Sequence, residues 1–143
     1  MQGISTREGA DDGMDSARAM VFDHVDLRVA DVERCRPFYD AFLRGFGFRG
    51  KAQADGVRLY YRLEERAVRE AIALIPDAGH RPNATRLAFS AASQADVDRF
   101  AAIAERAGAR AYEPPALCPE IAERYYAAFF EDPDGNRLEI VCR

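Results

Sequence analysis

The same order of predicted secondary-structure elements occurs twice along the chain, and this duplication constrains the fold more than any other feature. A strand, a helix and three further strands are predicted in each half, and residues 76–84, which are rich in Gly, Pro and Asn, separate the halves. Shifting one half by 62 positions, from 31 to 93, superimposes the two predicted helices. The sequence therefore predicts an α+β protein with two βαβββ modules, about residues 20–76 and 85–142.

The first module is predicted from a helix whose apolar residues recur at steps of three and four. Asp31 is the candidate N-cap of this helix. Because Pro37 lies six residues beyond that cap, we expect an irregular first turn and a regular helix only from Pro37 onward. The four strands of the module are predicted at residues 20–29, 48–54, 57–63 and 69–75.

The second module has the same signals. Ser93 and Asp96 resemble a capping box, and Gly108 ends the helix that follows. Residues 113–120 contain three prolines, so this stretch is predicted to be a loop. The four strands of the module are predicted at residues 85–91, 109–113, 125–131 and 136–142.

The end of the chain predicts a hairpin followed by an unusual strand. Residues 132–136, Asp-Pro-Asp-Gly-Asn, favour a tight turn. In the next strand Leu138 and Ile140 alternate with Glu139, so Glu139 is expected to point away from the helices that cover its neighbours. A carboxylate on such an apolar strand needs a polar partner, and Arg86 is the first candidate.

Composition argues against several classes of function. The 143 residues carry a net charge of −4 with both signs interspersed, which argues against nucleic acid as a partner. The sequence predicts neither a signal peptide nor a membrane-spanning segment. Cys35, Cys118 and Cys142 have no metal-site spacing and are interpreted as reduced thiols. We expect a cytoplasmic protein with a flexible tail at residues 1–19 and one folded domain at 20–143.

Strand alternation gives the predicted sheet two different faces. One face is apolar and should be covered by the helices. The other combines small and ionisable side chains, which suits a binding cleft but also a face that simply meets solvent. The residues of this second face are His24, Asp26, Arg28, Ala71, Ala73, Arg86, Ala88, Ser90, Arg137 and Glu139.

Three segments carry a family resemblance: the strand at residues 24–29, the helix with Phe38-Tyr39, and the ending Asp-Pro-Asp-Gly-Asn-Arg-Leu-Glu at 132–139. They resemble the vicinal oxygen chelate superfamily, which includes glyoxalase I, extradiol dioxygenases, fosfomycin resistance enzymes and bleomycin resistance proteins. The resemblance implies paired βαβββ modules that form a curled mixed-sheet cup with helices on its outer face. It also implies a cup that is often completed in a homodimer, and a divalent metal held by the first and last strands of each module.

Carrying the metal positions of the family over to this chain gives His24 and Ala73 in the first module, and Arg86 and Glu139 in the second. Ala73 has no donor atom, and an arginine stays protonated and offers no lone pair. The resemblance therefore leaves His24 and Glu139 as the metal ligands, for Zn, Ni, Mn or Fe(II).

Two functional interpretations remain open. In the first, a metal on His24 and Glu139, helped by Asp26, polarises a substrate oxygen while a carboxylate moves a proton, as in a lyase, isomerase or dioxygenase. In the second, Arg86 pairs with Glu139 in place of the metal, and the cup binds a small organic molecule for sequestration or antibiotic resistance. His24 could also act as an acid or base without a metal. In each case Tyr126 and Phe129 are expected to contribute an aromatic wall to the substrate site.

These residues also have purely structural interpretations. His24 could be a histidine whose hydrogen bonds are satisfied inside a small cleft. An Arg86–Glu139 pair could stabilise the sheet without contacting any ligand. Only the resemblance favours the functional interpretation of His24 over the structural one.

Overall fold

The computed structural model describes residues 21–143, and within that range the βαβββ order occurs twice. The helices are α1 (Val32–Gly45) and α2 (Gln94–Arg106). The strands are β1 (His24–Val29), β2 (Gly50–Ala54), β3 (Val57–Glu64), β4 (Ala67–Pro76), β5 (Arg86–Ser90), β6 (Arg110–Leu117), β7 (Tyr126–Glu131) and β8 (Arg137–Cys142). In this part of the chain, neither helix has the length and hydropathy needed to cross a lipid bilayer.

The strands form two separate four-stranded mixed sheets, which confirms the predicted α+β fold. The first sheet has the order β1-β4-β3-β2 and the second has the order β5-β8-β7-β6. In each sheet the first strand of the module pairs in parallel with the last strand, and the remaining pairs are antiparallel. Both β1 and β5 are therefore edge strands with one unpaired side.

Both predicted helix caps are confirmed, but the expected irregular start of α1 is wrong. The side chains of Asp31 and Ser93 each accept a 3.0 Å hydrogen bond from the backbone N–H three residues later. Helix α1 begins at Val32 and continues through Pro37. The capped first turn is already helical, and Pro37 removes only one backbone donor from the helix that follows.

Two strand predictions also need correction. Strand β6 extends through Leu117 into the predicted loop 113–120, so only the end of that stretch lies outside the strand. Its prolines are tolerated because β6 is an edge strand with two register shifts and a positive φ of 46° at Ala111. Strand β1 begins at His24, later than the predicted residue 20. Residue 20 and the predicted tail 1–19 lie outside the described residues.

The two helices lie between the apolar faces of the two sheets, so one core joins both modules. Phe42 on α1 is at its centre, with ring centroids 5.2 Å from Phe46, 5.1 Å from Phe89 and 5.5 Å from Phe130. Each sheet turns its apolar face toward the helices and its other face away from them. We call the faces turned away from the helices the outer faces of the first and second sheets; they correspond to the inside of the cup that the resemblance implies.

A buried carboxylate holds the β7–β8 hairpin against the first module. Asp132 is fully buried, and its Oδ1 accepts hydrogen bonds from the backbone N–H groups of Asp134 (2.8 Å) and Asn136 (2.9 Å). Its Oδ2 accepts hydrogen bonds from the Tyr39 hydroxyl (2.6 Å) and the Asn136 amide (2.9 Å). The same amide donates to the backbone carbonyl of Arg28 at 2.9 Å. Asp132 therefore ties the hairpin to α1 and, through Asn136, to β1.

The linker between the modules packs on this hairpin. Asn136 uses its amide nitrogen elsewhere, so its Oδ1 accepts the 2.9 Å hydrogen bond from His80 Nε2. At Gly135, φ is +89°, and an added Cβ would lie 2.8 Å from Pro82 Cγ. The predicted tight turn is thus confirmed, and glycine is required there by both the backbone conformation and the close linker.

Candidate functional site

Glu139 lies in the middle of β8 on the outer face of the second sheet, yet it is only 5% exposed. Its carboxylate accepts a hydrogen bond from the Tyr125 hydroxyl. Burial raises the pKa of Tyr125, and the hydrogen bond to Glu139 raises it further, so the phenol stays protonated and remains a donor. The carboxylate of Glu139 is thus held in place by an aromatic hydroxyl.

Arg86 is not the partner of Glu139. Across β5 and β8, Glu139 is opposite Ala88, whereas Arg86 is opposite Arg137. The guanidinium carbon of Arg86 lies 4.8 Å from the ring centroid of Phe129 instead. The expected Arg86–Glu139 ion pair is therefore absent from the described residues. The strand register places these two side chains two positions apart, and the Tyr125 hydroxyl donates to the Glu139 carboxylate instead.

The outer face around Glu139 is a small apolar cluster. Buried Cys118, Tyr125, Ala127 and Val141 form it, and half-buried Phe129 packs against them. Burial raises the pKa of Cys118, and nearby carboxylates, first Glu120, raise it further. Cys118 consequently stays a protonated thiol, in agreement with its interpretation as a reduced, unreactive cysteine.

Tyr126 lies on the opposite side of β7 from Phe129. Its hydroxyl donates a 2.6 Å hydrogen bond to Asp98 on α2, and this bond raises the pKa of Tyr126 to about 12. Strand alternation places Tyr125 and Phe129 on the outer face and Tyr126 toward the helices. The expectation that Tyr126 shares an aromatic wall with Phe129 is therefore wrong, because alternation turns Tyr126 toward α2 and places Tyr125 beside Glu139.

His24 begins β1 on the outer face of the first sheet, and its side chain is 56% exposed. Its Nδ1 is 2.7 Å from Asp23 Oδ1, and its Nε2 is 4.0 Å from Asp26 Oδ1. The hydrogen bond to Asp23 raises the pKa of His24, and the charge of Asp26 adds to the effect. His24 thus has Nδ1 oriented by the Asp23 carboxylate and Nε2 near the Asp26 carboxylate, beyond hydrogen-bond distance.

Within one chain these candidate residues form two separate groups. His24 and Asp26 lie on the first sheet, where they pair with Ala71 and Ala73. Glu139 lies on the second sheet, which shares no strand pair with the first in the described residues. Across residues 21–143, no three His, Cys, Asp or Glu side chains come together as a cation site.

A cavity of ≈ 540 Å³ lies between the modules, beside the free edges of β1 and β5. His24 and Ser90 are at its rim, and its apolar wall includes Phe46, Phe89 and Phe100. These rings are close together, with Phe46 and Phe100 centroids 4.2 Å apart. The sequence analysis missed this cavity because it exists only through the packing of one module on the other.

We expect Asp23→Asn to lower the pKa of His24, since its hydrogen-bonded carboxylate would be lost. The direction of the pKa shift also predicts how the stability of the protein depends on pH. Because the pKa of His24 is raised in the folded state, protonation of His24 stabilises the folded protein. This contribution to stability is fully present below the unfolded pKa and is lost as pH rises through the folded pKa. An NMR pH titration of the two histidine rings measures the shift, with His80 as internal control. An unchanged His24 titration in the variant would contradict the assigned partner.

Comparison with known proteins agrees with this fold. The family model of the Glyoxalase/Bleomycin resistance protein/Dioxygenase superfamily matches residues 21–140. None of the functionally curated proteins matches the chain in sequence. A glyoxalase/bleomycin resistance protein from Albidiferax ferrireducens T118 is 27% identical, with a TM-score of 0.68 over 87% of this chain and 99% of that chain.

Two further solved structures share the fold at lower identity. A glyoxalase-related enzyme from Fulvimarina pelagi is 20% identical, with a TM-score of 0.63 over 86% of this chain and 88% of that chain. A mutant of the fosfomycin resistance protein FosX from Listeria monocytogenes, complexed with Mn(II) and 1S,2S-dihydroxypropylphosphonic acid, is 15% identical, with a TM-score of 0.60 over 86% of this chain and 90% of that chain. The family match spans most of the sequence and both modules, and the chain therefore belongs to the glyoxalase/bleomycin resistance/dioxygenase superfamily.

Proposed function

We propose that this protein binds a small organic molecule on the outer face of its second sheet, in a cup completed by the first sheet of a second copy. The supporting observation is Glu139, a carboxylate that is 5% exposed and points away from the core. It lies in the apolar cluster with the Tyr125 hydroxyl as its hydrogen-bond donor and Phe129 opposite it across β7 and β8. Arg86 lies over the Phe129 ring, and Arg143 lies over the Tyr125 ring. Apolar walls with a few fixed polar groups are typical of small-molecule sites.

The free edges of β1 and β5 support a homodimer. Each of these strands is paired on one side only, and an unpaired edge favours association with another strand. Beside these edges, Val21 and Phe22 are 90% and 75% exposed. In a two-fold pair, β1 of one copy would lie beside β5 of the other. His24 of the second copy would then approach Glu139 of the first, which a single chain does not achieve.

The donor set favours binding without a metal. One chain offers His24 and Glu139 on different sheets, and the other two positions that the resemblance assigns to ligands are Ala73 and Arg86. The fixed positive charge of Arg86 would oppose a divalent cation beside Glu139. We therefore assign binding of the ligand's polar group to Glu139 and Tyr125, stacking of its apolar part to Phe129, and positive charge to Arg86.

A metal-dependent lyase, isomerase or dioxygenase is the second candidate. It is favoured by His24, whose Nδ1 bonds to Asp23 while Nε2 forms no hydrogen bond in the described residues, an arrangement typical of metal-binding histidines. The FosX relative is complexed with Mn(II). Zn, Ni, Mn or Fe(II) would supply Lewis-acid chemistry at a substrate oxygen in such a site.

Location in the cytoplasm stays a prediction. All three cysteines are free and buried, which supports a reducing compartment.

Metal titration separates the two candidates. The proposal predicts no stoichiometric binding of Ni, Zn, Mn or Fe(II) to chelator-treated protein by calorimetry. Tight binding that is lost in both His24→Ala and Glu139→Ala, and kept in Glu123→Ala as a control on an exposed carboxylate, would establish the metal-dependent candidate instead.

Ligand binding tests the proposal itself. Planar organic acids are screened by ligand-observed NMR on the chelator-treated protein. Phe129→Ala is expected to weaken the affinity of the ligands found by about tenfold, because the stacking surface is removed. Tyr126→Phe, on the other side of the same strand, should leave that affinity unchanged. Equal losses in both variants would rule out the outer face as the site.

A further inference from the structure

Two arginines lie side by side on the outer face of the second sheet. Arg86 and Arg137 are direct partners across the parallel strands β5 and β8, and both are exposed. Like charges directly opposite each other destabilise a sheet. Yet neither arginine forms an ion pair with any residue of the described range, so nothing in residues 21–143 neutralises them by direct contact.

Both arginines line one small concavity of ≈ 180 Å³. Phe129 forms one of its walls and holds the Arg86 guanidinium at 4.8 Å from its ring centroid. Glu113 and Glu131 line it too. Glu131 is the cross-strand partner of Arg137 on β7, but neither carboxylate forms an ion pair with either arginine. The concavity therefore contains N–H donors, an aromatic surface and two carboxylates, whose formal charge equals that of the two arginines.

We infer that Arg86 and Arg137 form a subsite for an oxyanion, a carboxylate or a phosphate group, carried by the small molecule that this face binds. The inference rests on the proposed function and specifies its ligand class. A planar guanidinium presents paired N–H donors that match the oxygens of these groups. An anion between the two arginines would also remove their repulsion. The rest of the ligand would extend over Phe129 toward Glu139, which lies two residues beyond Arg137 on β8.

Inorganic phosphate and acetate, added separately to chelator-treated, ¹⁵N-labelled protein, test the subsite. We expect saturable amide shifts at residues 86–88 and 137–139 at millimolar concentrations. Arg86→Gln combined with Arg137→Gln should weaken this binding by at least about tenfold, since two charge-assisted contacts are lost. Glu131→Gln should strengthen it, because a competing carboxylate is removed. The acetate and phosphate arms show which of the two groups the subsite takes.

Arg99→Gln is the matched control, because its guanidinium also lies over an aromatic ring, 4.6 Å from the centroid of Phe100, but on α2. The control should bind like wild type. Absence of saturable shifts with both anions, or equal affinity in the double variant and wild type, would overturn the inference. The anion titration needs neither a metal nor the organic ligand, so it can succeed when the proposed function fails. If phosphate binds but Phe129→Ala leaves the affinity for organic ligands unchanged, the proposed function is wrong and the oxyanion subsite stands. Dispersed amide spectra of each variant show that it is folded.

Discussion

Asp132→Ala is expected to destabilise the protein by about 3–5 kcal/mol, because four hydrogen bonds, three of them buried, lose the carboxylate that accepts them. Two are backbone N–H groups of the hairpin, and the others are the Tyr39 hydroxyl and the Asn136 amide. Burial and the neighbouring Asp132 carboxylate hold the pKa of Tyr39 well above its usual value, so the hydroxyl always needs an acceptor. Urea unfolding followed by circular dichroism measures the loss, since the chain has no tryptophan.

Asp77→Ala is the matched control. Asp77 is also a turn aspartate, but it is exposed and accepts one 3.0 Å hydrogen bond, from the backbone N–H of Gly79. Its replacement should cost less than about 1 kcal/mol. Tyr39→Phe should fall between the two variants, at about 1 kcal/mol, because it removes one donor and leaves the others in place. Similar losses for Asp77→Ala and Asp132→Ala would show that the buried network does not hold the hairpin.

Phe42→Ala is expected to cost about 3–5 kcal/mol, because it opens a cavity at the contact between the modules. Phe42 is fully buried and packs against rings from α1, β5 and β7. Hydrogen exchange should show faster opening of both sheets in the variant, since the two modules share this core.

Phe22→Ala serves as the control for this variant, because Phe22 is 75% exposed. It should change stability by less than about 0.5 kcal/mol in the monomer. If Phe42→Ala accelerated exchange in the first module only, the two modules would not form one cooperative core.

Local signals in the sequence predicted the local structure well. The caps at Asp31 and Ser93 and the turn at Gly135 depend on residues within a few positions, and the structure confirms all three. The errors at Pro37 and in β6 have a different origin. Proline is a poor residue for helix and sheet interiors, but the capped helix α1 tolerates Pro37, and the edge strand β6 tolerates Pro114 and Pro115.

The candidate site was less predictable, because its contacts depend on register and on module packing. Strand alternation correctly predicts that Glu139 lies on the outer face. Its carboxylate bonds to Tyr125 and not to Arg86 because of a strand register that the sequence does not specify. The separation of His24 from Glu139 depends on contacts between α1 and the second sheet, such as that between Phe42 and Phe130. Such long-range packing leaves no periodic signal in the sequence.

In the proposed dimer, β1 of one copy completes the site around Glu139 of another. Mixing isotope-labelled with unlabelled protein, and recording only nuclear Overhauser effects between the two kinds of chain, tests this arrangement at the level of single residues. We expect contacts from His24 and Asp26 of one chain to Ala88 and Ser90 of the other. A species of 15.9 kDa with no contacts between chains at NMR concentrations would rule the shared site out.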